Sequence, residues 1–228
     1  MVKGDYIATS GYVLIINNYP WAIQLQSGEK NVFAQTLGFT TREDINLTTS
    51  DMLKALTETA QRNFSNNDCF FCIIRSTWTE HGICGTDDKP IDIKTITSLF
   101  GSDKCPSLNG KPKIFVLGDS NYSFPSDVSH VRRQDFIDLQ LKSKRAKGLL
   151  QNLDISEKDF LVWNLLDRPH HGGIVKDWPE LLSLGMPLRD VIERTSLTIT
   201  REKVPISLVS TLTKNVYFKS KKKKIPLA

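Results

Sequence analysis

The segment Lys111-Pro-Lys-Ile-Phe-Val-Leu-Gly-Asp-Ser-Asn-Tyr-Ser-Phe124 decides the fold. Ile114 to Leu117 is a continuous apolar run, the pattern of a strand buried on both faces of a parallel sheet with helices above and below. A polar turn, Gly118-Asp119-Ser120-Asn121, follows at once. In open α/β sheets the chemistry gathers where strands give way to loops at their carboxyl ends. Ser120 therefore stands where a nucleophile is expected, with Asp119 read as a solvated turn carboxylate.

The flanking sequence repeats the alternation of apolar runs and helical patterns that marks an α/β domain. Upstream, Gly11–Asn17 and Cys69–Ile74 read as buried strands and Thr40–Asn46 as a weaker one. Lys30–Leu37 is predicted helical, stopping at Gly38. Thr48, Thr49 or Ser50 caps a second helix reaching about Asn63, with Met52, Leu53, Leu56, Ala60 and Phe64 along one face. Gly82–Thr86 with Ile91 predicts a small hairpin, and Ile93–Phe100 a short helix. Downstream, 121–157 has poor periodicity and a basic cluster, Lys142-Ser-Lys-Arg-Ala-Lys147. Asp159–Trp163 reads as a strand, Trp178–Leu184 and Leu188–Arg194 as helices broken at Gly185 and Pro187. Pro205–Phe218 reads as a terminal strand, alternating over Ile206–Leu212.

Composition narrows the function classes. A chain of 228 residues can form one large domain with its own core. No apolar run of about 18 residues suggests a membrane span. The first residues, Met1-Val-Lys-Gly-Asp-Tyr, carry no apolar signal region, so the expected location is the cytoplasm. The four cysteines, Cys69, Cys72, Cys84 and Cys105, are then expected as free thiols. Cys69 and Cys72 lie three apart in a strand and point to opposite faces, which is unsuited to a shared metal. The net charge is +5, but residues 131–150 carry +4 and 214–228 carry +6, leaving −5 on the remaining chain. The basicity sits in a loop and a tail, Lys221–Lys224 included, so nucleic acid is not an expected partner. No metal or cofactor is expected; His170 and His171 lack the accompanying cysteine or carboxylate pattern.

Several stretches together resemble the caspase family. Cys105-Pro-Ser-Leu-Asn-Gly-Lys-Pro-Lys113 is the most specific; Ile15-Ile-Asn-Asn18, Leu47-Thr-Thr-Ser-Asp-Met-Leu53, Gly85-Thr-Asp87 and Asp159–Trp163 add to it. The likeness spans roughly residues 10–218 and implies a caspase-like fold, with a central, mostly parallel six-stranded sheet and helices on both faces. It divides the domain into a large-subunit-like part (10–123), a basic linker loop (124–157), a small-subunit-like part (158–218) and a lysine-rich tail (219–228). The linker is where a caspase is cut; Asp135, Asp138 and Asp154 are available, and an uncut surface loop is expected.

The working residues of the family are missing from the matching positions. Its signature turn carries a cysteine, where this chain has Ser120. A gap-free match to Gly85 sets Thr77 over the family's histidine, and threonine cannot exchange protons near neutral pH as imidazole does. Gln26-Ser-Gly-Glu-Lys30 replaces the segment bearing one substrate-gripping arginine, and Arg168 is out of context for the other. His81, four residues past Thr77, and Cys84 are weaker candidates for residual hydrolysis. The resemblance thus implies a catalytically dead pseudo-caspase, similar in kind to the mosquito decoy caspases. Its expected role is to regulate an active caspase paralogue as a heterodimer, as an activator or alternatively as a dominant-negative decoy, or to pair with itself; a residual cysteine- or serine-type hydrolase and a module binding an acidic partner through the lysine tail are the other readings. The family's two-fold contact runs along the terminal strand, here Ile206, Leu208, Val209, Ser210 and Leu212.

Overall fold

The Ile114–Leu117 run forms the middle of a sheet. The computed structural model describes residues 4–18, 28–119, 148, 150, 152–164, 178–200 and 207–221. In chain order the strands are β1 (Tyr6–Ala8), β2 (Gly11–Asn17), β3 (Thr40–Ile45), β4 (Cys69–Ser76), β5 (Trp78–Thr79), β6 (Gly82–Cys84), β7 (Pro90–Ile91), β8 (Lys113–Asp119), β9 (Phe160–Asn164), β10 (Ser207–Ser210) and β11 (Val216–Phe218). The helices are α1 (Gly28–Asn31), α2 (Thr49–Ala60), α3 (Ile93–Ser98), α4 (Trp178–Ser183) and α5 (Leu188–Thr200). A π-helical turn, Val32–Leu37, continues α1 and ends at Gly38, whose φ of 72° suits a residue without Cβ.

Six strands form the central sheet in the order β10-β9-β8-β4-β2-β3. All neighbours are parallel except β10, which runs antiparallel to β9. The period-2 alternation of side chains divides the core into two layers. Val13, Ile15, Phe71, Ile73, Val116 and Trp163 face the layer completed by α4, α5 and the π turn. Leu14, Ile16, Phe70, Ile74, Leu117 and Val162 face the layer completed by α2 and α3. Cys69 falls in the first layer and Cys72 in the second, as their spacing requires. All four cysteines are buried and none is in a disulfide.

The structure corrects the sequence at several places. The terminal run is two strands: β10 borders the main sheet, whereas β11 pairs in parallel with β1 in a separate two-stranded sheet. Thr211 ends β10, because its hydroxyl accepts the Phe160 N–H (3.0 Å) and donates to the Glu157 carbonyl (2.7 Å). Leu212 therefore lies outside the strand, packed against the first core layer. The expected alternation also shifts: Val209 packs on the second layer while Leu208 is 46% exposed. Helix α2 stops at Ala60, short of Asn63, with Thr48 as its cap. Past β11, the Lys219 and Lys221 N–H groups bond the carbonyls of Ala8 and Thr36 at 3.0 Å each. Asp154 is exposed. Ser120, Asp135, Asp138, Arg168, His170, His171, Ile206, most of the linker and Lys222–Lys224 lie outside the described residues.

Candidate functional site

The carboxyl ends of β4 and β8 lie side by side, with Arg75 paired to Gly118 and Ser76 to Asp119. Strand β8 thus continues through Gly118 and Asp119, two residues into the expected turn. The Trp78 indole helps hold it there by donating to the Gly118 carbonyl at 3.1 Å. Thr77 follows Ser76 directly, and Ser120 follows Asp119 in sequence. The topology therefore sets Thr77 just past the end of β4, beside the neighbouring end of β8, the side of the sheet where α/β folds place their ligands.

Around Thr77 the backbone is closely held. Its carbonyl accepts the Cys84 N–H at 2.8 Å. The Ser76 hydroxyl donates to the Cys84 carbonyl at 2.5 Å and accepts from the Asn18 amide at 3.1 Å. This network ties β4 to the three-stranded β5-β6-β7 sheet. Asp87 then ties that sheet to α2, accepting the Thr49 N–H and hydroxyl at 2.8 Å each. Those bonds, backbone first, hold the Asp87 carboxyl below its usual range. The alternative hydrolytic residues are poorly placed. The His81 side chain is 73% exposed at the β5–β6 turn, 3.6 Å from Glu80. Cys84 is buried, its sulfur 3.9 Å from the Thr79 hydroxyl. Burial pushes the Cys69, Cys72 and Cys105 thiols up, away from thiolate. Among the described residues, no group of three histidine, cysteine or carboxylate side chains is arranged to hold a metal.

One feature of this end of the sheet escaped the sequence. Arg75 closes the run Cys69-Phe-Phe-Cys-Ile-Ile-Arg75 and alternates with Phe71 and Ile73. Its guanidinium forms an ion pair with Glu29, in the first turn of α1. The Trp178 indole of α4 donates to the same carboxylate oxygen at 3.2 Å. The Arg75 and Glu29 side chains are only 13% and 3% exposed. A lone cation closing an apolar strand was the available signal.

A second feature lies at the sheet edges. The β3 edge carries Arg42, Glu43 and Asp44, engaged in ion pairs of Arg42 with Asp44 (2.8 Å), Lys30 with Glu43 (3.4 Å) and Arg42 with Glu58 (3.2 Å). The β10 edge, Ser207-Leu208-Val209-Ser210, carries no charge. Beside β10 is a groove of about 700 Å³ lined by Leu161, Leu188, Ile192, Leu208, Leu212 and Val216, among others. Ion-paired Arg189 and Glu193 (3.0 Å) also border it.

A family model described as the caspase domain matches residues 10–224. The chain is 42% identical over 81 residues to caspase-6 of Gallus gallus, a match covering 36% of this chain and 26% of that protein. It is 38% identical over 91 residues to caspase-7 of Gallus gallus, covering 40% of this chain and 29% of the relative. It is 33% identical over 126 residues to caspase-3 of Oryctolagus cuniculus, covering 50% and 44%. The chain thus spans less than half the length of each of these relatives.

Proposed function

We propose that this chain, which belongs to the caspase family of cysteine proteases, is a catalytically inactive member that regulates an active caspase by pairing with it through β10. The contrast between the two sheet edges carries the proposal. An edge strand is a template for another chain unless charge, proline or a covering element blunts it. The β3 edge is blunted by Arg42, Glu43 and Asp44. The β10 edge presents only serine, leucine and valine, the composition that allows two domains to share one continuous sheet. The groove beside it offers room for partner side chains.

Inactivity follows from residue identity. A thiol protease needs a thiolate and a base; Ser120 and Thr77 at those positions offer two hydroxyls, neither titrating near neutral pH. A partner changes an enzyme's active fraction only through its differential affinity for the active form. Because the sheet frame and the β10 edge are retained, the expected sign is activation, in cytoplasmic control of apoptosis. Self-pairing uses the same edge. Sedimentation of the purified protein, alone and mixed with an active caspase, tests the proposal; two species that never associate would reject it.

A further inference from the structure

We propose that Asn109 is a self-modification site: the Gly110 backbone nitrogen displaces its side-chain amide, and the isoaspartate formed loosens the anchorage of the buried Lys113. Asn109-Gly110 is the one Asn-Gly pair in the sequence. The two residues are the exposed centre of a turn closed by the Lys111 N–H on the Leu108 carbonyl at 3.1 Å. Asn109 (φ −59°, ψ 132°) and Gly110 (φ 69°) fit a type II turn, whose third residue favours glycine. The attacking nitrogen is unobstructed. Chain neighbours aside, no heavy atom lies within 4 Å of where a Gly110 Cβ would stand. No acceptor among the described residues takes the Gly110 N–H. Ring closure needs rotation about the Asn109 ψ, which the turn's closing hydrogen bond resists. The nitrogen loses its proton and bonds to Asn109 Cγ; the Cγ–Nδ2 bond breaks and ammonia leaves. Water then opens the five-membered imide. Breaking its bond to Cγ gives aspartate, whereas breaking its bond to the backbone carbonyl carbon gives isoaspartate, with a main chain one carbon longer.

That extra carbon falls between the carbonyls of Leu108 and Lys111. Both accept from the Lys113 ammonium, at 3.3 and 3.1 Å. Lys113 opens β8 and is 3% exposed, with its Nζ 4.6 Å from the Phe160 ring centroid. Burying a charged group is costly unless it is hydrogen-bonded, so a displaced turn is felt in the central strand.

The inference does not rest on caspase pairing and is tested on the purified protein alone. Wild type, Gly110→Ala and Asn109→Thr are aged at physiological temperature, at neutral and at mildly alkaline pH. Peptide mass spectrometry follows the amide-to-acid change at each asparagine, and an isoaspartyl methyltransferase labels the isoaspartate. Asn109 should convert at least about tenfold faster than any other asparagine, a barrier lower by about 1.4 kcal/mol. The rate should rise with pH, because the attacking nitrogen must lose its proton. Gly110→Ala, whose methyl group hinders that nitrogen, should slow conversion by at least the same factor. Aged wild type should melt at least about 2 °C below fresh protein, while Asn109→Thr keeps its melting temperature. An Asn109 that stays intact, whatever happens elsewhere, would overturn the proposal. So would conversion indifferent to Gly110→Ala. Isoaspartate at position 109 with an unchanged melt would refute the link to Lys113.

Discussion

Leu208→Lys tests the role of the β10 edge at one exposed side chain. Leu208 is 46% exposed, and pairing can hide at most that share of its surface. Complete burial of a leucine contributes about 1.5–3 kcal/mol. The share available here amounts to about 0.7–1.4 kcal/mol for one Leu208 and about 1.4–2.8 kcal/mol where two identical edges meet. The dissociation constant should then rise about 3–10-fold against a caspase partner and about 10–100-fold for self-pairing. A lysine on an edge strand further disfavours pairing. The isolated domain should be almost unaffected, within about 0.5 kcal/mol, because the side chain already faces solvent. Sedimentation velocity over a concentration series reads the association, and thermal melts confirm an intact fold. An unchanged dissociation constant in a folded Leu208→Lys protein would refute the edge as the contact.

Gly85→Ala should destabilise the domain by about 1–3 kcal/mol, because a Cβ there would lie 2.0 Å from the Thr49 backbone nitrogen; a melt within a degree of wild type would refute that packing. Asp68 is partly buried, which raises its pKa, but the N–H and hydroxyl groups of Thr9 and Ser10 outweigh this and hold it below the usual 3.8. Its contribution is therefore present above the unfolded pKa and lost as pH falls through the lower folded value. Asp68→Asn should cost about 1–2 kcal/mol at pH 7 and flatten the fall in melting temperature below about pH 4; an unchanged acid profile would contradict this. Thr77→His combined with Ser120→Cys should leave cleavage of an aspartyl peptide at background, since neither change supplies the substrate-gripping arginines. Turnover above background would show that the lost nucleophile and base were the whole deficit.

Much of the fold is legible in the sequence because the sheet is buried on both sides. Gly11–Asn17, Cys69–Ile74 and Ile114–Leu117 have no solvent-facing positions to disguise them. Local signals missed what depends on distant partners. The split of the terminal run follows from Thr211 bonding to Glu157 and Phe160, more than fifty residues upstream. The extension of β8 through Asp119 follows from pairing with Ser76, which overrides the turn preference of a Gly-Asp sequence. Thr77 is read only through the resemblance, from the gap-free match that ends at Gly85. The Arg75–Glu29–Trp178 cluster joins residues up to 149 apart, and only Arg75 left a local trace.

Turnover of a purified active caspase, titrated with this protein, is the most direct test. Wild type should give a saturable rise, reduced by Leu208→Lys in proportion to its weaker binding. A saturable fall would keep the pairing and reverse its sign, making the protein a decoy. A flat response with no complex in the same mixture would contradict the regulatory role.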